Sequence, residues 1–232
     1  MKPHLLLLHG ALGSEVQLKQ LARELGAFFR VHTFSFCGHG GRPLVPADFT
    51  MPHFAQEVLH FIQDRDLAAV HVFGYSMGGY AALVAALSAG GRIKSVTTLG
   101  TKFNWAPDTV ATEARLLNAE AMREKVPQFA AQLEQLHAPT LLPELLNATA
   151  AMMQELGNAP LLTPEKLASL TIPVQILVGE LDKTAGVDVS EKYAAYIPHG
   201  TFEVIMNTLH PLERVNPDLL ASRIIRFSEE QN

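Results

Sequence analysis

The chain carries a single cysteine, Cys37, among 232 residues. An internal disulfide framework and a Cys-rich zinc site are therefore excluded. Basic residues are also scarce: 18 Lys and Arg stand against 23 Asp and Glu, a net charge of −5. No basic footprint favours nucleic acid or an anionic membrane as a partner. Long apolar runs are missing near the N-terminus. Leu5 to Leu8 stop at His9-Gly10, too short for a membrane span or for the core of a signal peptide. Neither internal repeats nor low-complexity segments occur. The expectation is a soluble, cytoplasmic protein without a membrane span. Its 48% hydrophobic and 18% charged residues are globular, and a chain of this size buries roughly 70% of its unfolded surface.

What is present is an alternation of apolar runs and amphipathic stretches. His4 to Leu8 is a continuous apolar run, as in a parallel strand covered on both faces. Arg30 to Cys37, Val70 to Tyr75 and Ser95 to Leu99 read as further strands, with helices over Ser14 to Leu25, Phe54 to Gln63 and Met77 to Ser88. The rhythm resumes with strands at Pro173 to Val178 and Thr201 to Met206, and helices at Val189 to Ile197 and Pro217 to Phe227. Strands alternating with helices predict βαβ units and a doubly wound, mostly parallel sheet. Residues 102 to 169 break the pattern. They hold one of the 16 glycines but six of the 14 prolines, and no run there suits a buried strand. Asp108 to Lys125, Pro127 to His137 and Leu141 to Leu156 read as helices. The expected organisation is a core of residues 1–101 and 170–232 with a helical insertion at 102–169.

Gly74-Tyr75-Ser76-Met77-Gly78-Gly79 fits G-x-S-x-G between a predicted strand and a predicted helix. A nucleophile on so sharp a turn leaves no room for side chains two positions either side. The turn also sets Ser76 at a helix N-terminus, which favours developing negative charge. A Gly-rich turn with an incidental serine is the bland alternative, and the strand–turn–helix order weighs against it. A serine hydroxyl needs a base, and the base needs an orienting acid. His210 follows the last predicted strand. Asp182 lies in the loop past the penultimate one, with Glu180 as fallback and Asp188 weaker. The order Ser76, Asp182, His210 matches the Ser…Asp…His order of one fold class. His9 and His39, in Gly-rich loops, are candidate pocket residues. Cys37 reads as a buried apolar residue.

With these segments in view, the chain resembles the α/β-hydrolase superfamily over nearly its whole length. His9-Gly10 resembles the family's HG turn, Gly38-His39-Gly40 its GHG loop, Gly74 to Gly78 its nucleophile elbow, and Gly179 to Asp182 its acid turn. The resemblance implies an oxyanion hole from the backbone N–H groups of Ala11 and Met77. It makes residues 102–169 the helical cap, or lid. It also implies a reduced sheet of about six strands, because the usual N-terminal hairpin is missing before the HG strand. Most apolar residues of the cap are expected to be its own core. Lys102, Trp105, Met152 and Met153 are candidates to line a pocket beneath it.

The expected activity is hydrolysis of a small ester, thioester or related acyl substrate through an acyl-enzyme, with no metal or organic cofactor implied. Serine at the elbow disfavours the dehalogenase and epoxide hydrolase branches, which need a carboxylate nucleophile. Two rivals stand beside it. One is carbon–carbon bond hydrolysis, or a menaquinone-pathway type of lyase, on an anionic substrate. That chemistry wants cations, and the cap offers Lys102, Arg115, Arg123 and Lys125. The other is a ligand receptor or partner-binding module on a hydrolase fold.

Overall fold

Leucine at four successive positions puts apolar groups on both faces of the first strand, β1 (His4–Leu8). Leu5 and Leu7 enter one core layer and Leu6 and Leu8 the other. The computed structural model describes residues 2–231. After β1 come α1 (Lys19–Leu25), β2 (Arg30–Thr33), α2 (Met51–Asp64), β3 (Val70–Tyr75), α3 (Met77–Ala86) and β4 (Ile93–Leu99). Five helices follow: α4 (Pro107–Ala114), α5 (Ala119–Lys125), α6 (Pro127–His137), α7 (Leu142–Asn158) and α8 (Pro164–Ala168). The chain then returns through β5 (Val174–Gly179), α9 (Val187–Ala194), β6 (Gly200–Ile205) and α10 (Pro217–Glu229).

The six strands lie in the order β2-β1-β3-β4-β5-β6, and every pairing is parallel. Leu21 and Leu25 of α1 and Leu220 and Ile224 of α10 cover the Leu5/Leu7 face. Phe54 and Val58 of α2 and Tyr80 to Leu83 of α3 cover the Leu6/Leu8 face. The chain runs outward from β1 to β2, then back across to β3 on β1's other side. This reversal opens a crevice at the C-terminal ends of β1 and β3, where ligands of open α/β sheets bind. The loops beginning at His9 and Ser76 meet there.

The sheet is thus the reduced parallel one expected from the sequence, but some boundaries differ. Pairing in β2 ends at Thr33, not Cys37. Its partner β1 ends at Leu8, with Leu7 opposite Thr33, so no strand remains for Ser35 to Cys37 to join. The expected helix over Asp108 to Lys125 is two helices. Asn118 accepts a hydrogen bond from the Ala121 N–H at 2.8 Å and starts α5 afresh. The short helix α8 was not foreseen. No helix among the described residues is long and apolar enough to cross a membrane.

Candidate active site

The turn from β3 into α3 places Ser76 in an unusual backbone conformation, φ 51° and ψ −113°. Positive φ is costly for a residue with a side chain. The surroundings hold it there. The Ser76 N–H donates to the Leu99 carbonyl at 2.8 Å. The Ser76 carbonyl accepts from the Thr101 hydroxyl at 3.0 Å. A Cβ on Gly78 would lie 2.6 Å from the His9 carbonyl oxygen, so α3 can press against the end of β1 only with glycine there. Met77 is the first residue of α3, and the first N–H groups of a helix have no partner within it.

His210 and Asp182 come together from the loops after β6 and β5. The His210 Nδ1 lies 2.8 Å from the Asp182 Oδ2. Asp182 is buried, and its other oxygen accepts the N–H groups of Thr184 and Ala185, both at 2.9 Å. The carboxylate is thereby fixed in orientation, with one oxygen left for the imidazole. The Tyr75 hydroxyl donates to the His210 carbonyl at 3.0 Å, tying the histidine's loop to the residue before the serine. Glu180 does not share this position. It is exposed and accepts the Asn207 N–H at 2.9 Å. Asp188 sits in the first turn of α9.

Ser76 opens on a cavity of about 50 Å³ walled by Ala11, Met51, Met77, Tyr80, Lys102, Trp105, Glu113, Met152, Met153 and Thr184. Ala11, Ser76 and Met77 therefore converge on one space, and four of the pocket candidates read from sequence, Lys102, Trp105, Met152 and Met153, reach it. Met51 and Met152 also wall an adjoining groove of about 180 Å³. A second groove, about 590 Å³, shares Ala11 and runs past Tyr75 and Pro211.

His9 and His39 do not line the cavity beside Ser76. Both are fully buried. The His9 Nδ1 lies 2.8 Å from the Gly10 carbonyl oxygen, and its Nε2 accepts the Phe36 N–H at 3.0 Å. The ring thus pins the loop after β2 to the end of β1. Burial holds its pKa down at about 4, although the Gly10 carbonyl pulls the other way. The His39 Nδ1 lies 2.9 Å from the Cys37 carbonyl oxygen, and burial likewise keeps its pKa well below the usual range. Cys37 is buried, and burial raises its thiol pKa. Among the described residues, no cluster of three His, Cys, Asp or Glu side chains is placed to hold a metal ion.

Gly100 escaped the sequence reading. It has φ 63°, and a Cβ there would lie 3.0 Å from the Asp182 Oδ2 and 3.2 Å from the His210 Nδ1. Its missing side chain leaves room for the His–Asp pair, a contact between residues too distant in sequence for any local motif to signal.

The chain belongs to the α/β-hydrolase fold family. The family's model matches residues 3–162. Over 250 aligned residues the chain is 24% identical to the pimeloyl-[acyl-carrier protein] methyl ester esterase of Aliivibrio salmonicida, covering 98% of this chain and 93% of that one. It is 25% identical to 3-oxoadipate enol-lactonase 1 of Acinetobacter baylyi over 76% of this chain and 70% of that one. Among solved structures, a thermophilic esterase from Thermogutta terrifontis superposes with a TM-score of 0.81 at 22% identity, over 100% of this chain and 91% of that chain; this last likeness speaks to the fold alone. The chain is an α/β-hydrolase enzyme with esterase-like relatives.

Proposed function

We propose that this hydrolase cleaves a small ester or thioester through Ser76, His210 and Asp182. The observation that carries the reading is the 2.8 Å contact of the His210 Nδ1 with a buried, doubly anchored Asp182. With the Nδ1 proton held by the carboxylate, Nε2 is left as the base. The Ser76 Oγ attacks the carbonyl carbon as Nε2 takes its proton, and the N–H groups of Ala11 and Met77 stabilise the oxyanion. The imidazolium gives that proton to the departing alcohol or thiol. Water, deprotonated by His210, then releases the acid and frees Ser76.

The two spaces meeting at Ala11 suggest how substrate divides. The cavity of about 50 Å³ is far smaller than the few hundred cubic ångströms of a drug-sized site, and suits a short acyl group. The groove of about 590 Å³, reaching Pro211 beside His210, suits a larger leaving group. In this reading residues 102–169 are the cap and the remainder the catalytic core. Of the cap's cations only Lys102 lines the cavity, and Glu113 faces it at 3.4 Å. Arg123 is engaged by Glu134 on the exposed side. That near-neutral wall favours ester cleavage over the chemistries on anionic substrates.

A fluorophosphonate probe tests the nucleophile. It should label the wild-type protein and leave Ser76→Ala unlabelled, with p-nitrophenyl ester turnover lost in parallel. Labelling that survives the substitution overturns the assignment.

A further inference from the structure

The cavity beside Ser76 is apolar along Met51, Met77, Met152 and Met153 but not at Lys102 and Glu113. The Lys102 side chain is only 10% exposed. Its Nζ lies 3.4 Å from the Glu113 Oε1 and 5.6 Å from the centre of the Trp105 ring. An ammonium has three N–H donors, and this single contact, near the limit for a hydrogen bond, occupies at most one. The Trp105 indole N–H has no accessible surface, so it is the body of the ring that lines the cavity. Tyr80, on the same wall, differs from Lys102. Its hydroxyl accepts the N–H groups of Leu161 and Leu162, both at 3.0 Å. Lys102 therefore keeps donors in reserve on the cavity wall, and a largely buried donor left unpaired is costly.

An all-carbon acyl chain would leave those donors unpaired. A carboxylate would meet Glu113, which already offsets the charge on Lys102. A neutral oxygen avoids both penalties. Resting on Ser76 as nucleophile, we propose that the natural acyl group is short and carries a neutral hydrogen-bond-accepting oxygen beyond the scissile carbonyl, an ether, keto or amide oxygen bound by Lys102. Its carbon atoms pack on Met152 and Met153.

The test compares p-nitrophenyl methoxyacetate with p-nitrophenyl butyrate, which differ by one oxygen in place of a methylene, and with p-nitrophenyl hemisuccinate. The quantity read is the methoxyacetate-to-butyrate ratio of kcat/KM in wild type, Lys102→Met and Lys102→Leu. The intrinsic reactivity of each ester cancels between proteins, and a general loosening of the cavity does not move the ratio. The ratio should fall about five- to tenfold in each variant, the worth of one hydrogen bond. If one variant fails to fold, the other still decides. An unchanged ratio overturns the subsite, as does a wild-type preference for hemisuccinate over methoxyacetate. Wild type inert on all three esters, or Ser76→Ala as active as wild type, instead overturns the nucleophile assignment on which the subsite rests.

Discussion

A cluster of three histidines and a single fourth flank the end of β1, and they are built oppositely. On one side the His9, His39 and His137 rings cluster, with His39 5.0 Å from His9 and 5.6 Å from His137. Backbone groups take both nitrogens of His9 and of His137. The Gly40 N–H donates to the His137 Nδ1 and the His137 Nε2 donates to the Leu12 carbonyl, both at 3.0 Å. A ring that accepts on one nitrogen and donates on the other is neutral and cannot exchange its proton without losing a bond. On the other side, His210 gives Nδ1 to a carboxylate and has no hydrogen-bond partner for Nε2 among the described residues. Histidine next to the proposed catalytic loops is therefore not enough. A proton-moving histidine needs one nitrogen on an acid and the other open.

The strongest way to break the contrast is to turn His210 into a ring of the first kind. In Asp182→Asn, the amide oxygen would stay on the Thr184 and Ala185 N–H groups, leaving its NH2 facing the imidazole. His210 would then accept on Nδ1 and carry its proton on Nε2, the wrong tautomer for a base. Turnover of a p-nitrophenyl ester should fall by about 10⁴, with Tm and circular dichroism showing a folded protein. Glu180→Gln should stay within about threefold of wild type, because Glu180 meets only the Asn207 N–H. Turnover of Asp182→Asn within tenfold of wild type would sink the assignment.

The sequence made one side of this contrast readable and hid the other. That Asp182 rather than Glu180 meets His210 was legible because a residue past a strand's end is free to turn toward a neighbouring loop. The elbow was legible because its glycines answer a local steric demand. Pro127 to His137 is a helix to the residue, since proline at the first helical position marks its start. The ring directions of His9 and His39 were not legible, because a Gly-rich context marks a loop without saying where a side chain points. The end of β2 was fixed by the length of β1, and the role of Gly100 by packing against residues far along the chain. Each miss lies where a tertiary partner, not a local preference, decides.

Acid sharpens the contrast next. Burial lowers the pKa of His9 to about 4, of His71 to about 4 with Lys94 adding to the shift, and of His39 and His137 below the usual value. These folded-state values lie below the unfolded-state value near 6.5. Their stabilising contribution is thus complete above about pH 6.5. It is lost as the pH falls toward 4, because the unfolded chain takes up protons that the folded one refuses. His9 alone should contribute about 3 kcal/mol to this loss. Urea unfolding midpoints should fall steadily between pH 6.5 and 4, and a flat profile across that range would contradict the buried, neutral cluster.

His137 offers the finest division, because it alone joins the cluster from residues 102–169. It reaches Leu12, next to Ala11, and Gly40, so it ties the proposed cap to the proposed oxyanion loop. Glutamine can accept on its oxygen and donate from its nitrogen, and it does not titrate. His137→Gln should therefore keep kcat within about twofold and lose less stability than wild type between pH 6.5 and 4. His137→Leu leaves the Gly40 N–H and the Leu12 carbonyl without this partner. Each loss costs about 1–3 kcal/mol, and a shifted Ala11 N–H should lower kcat about tenfold, since small misplacements near reacting atoms are expensive. If leucine and glutamine behave alike in both kcat and acid profile, the ring only fills space. If they separate as expected, the locked histidines serve the site by holding the loops that His210 works beside.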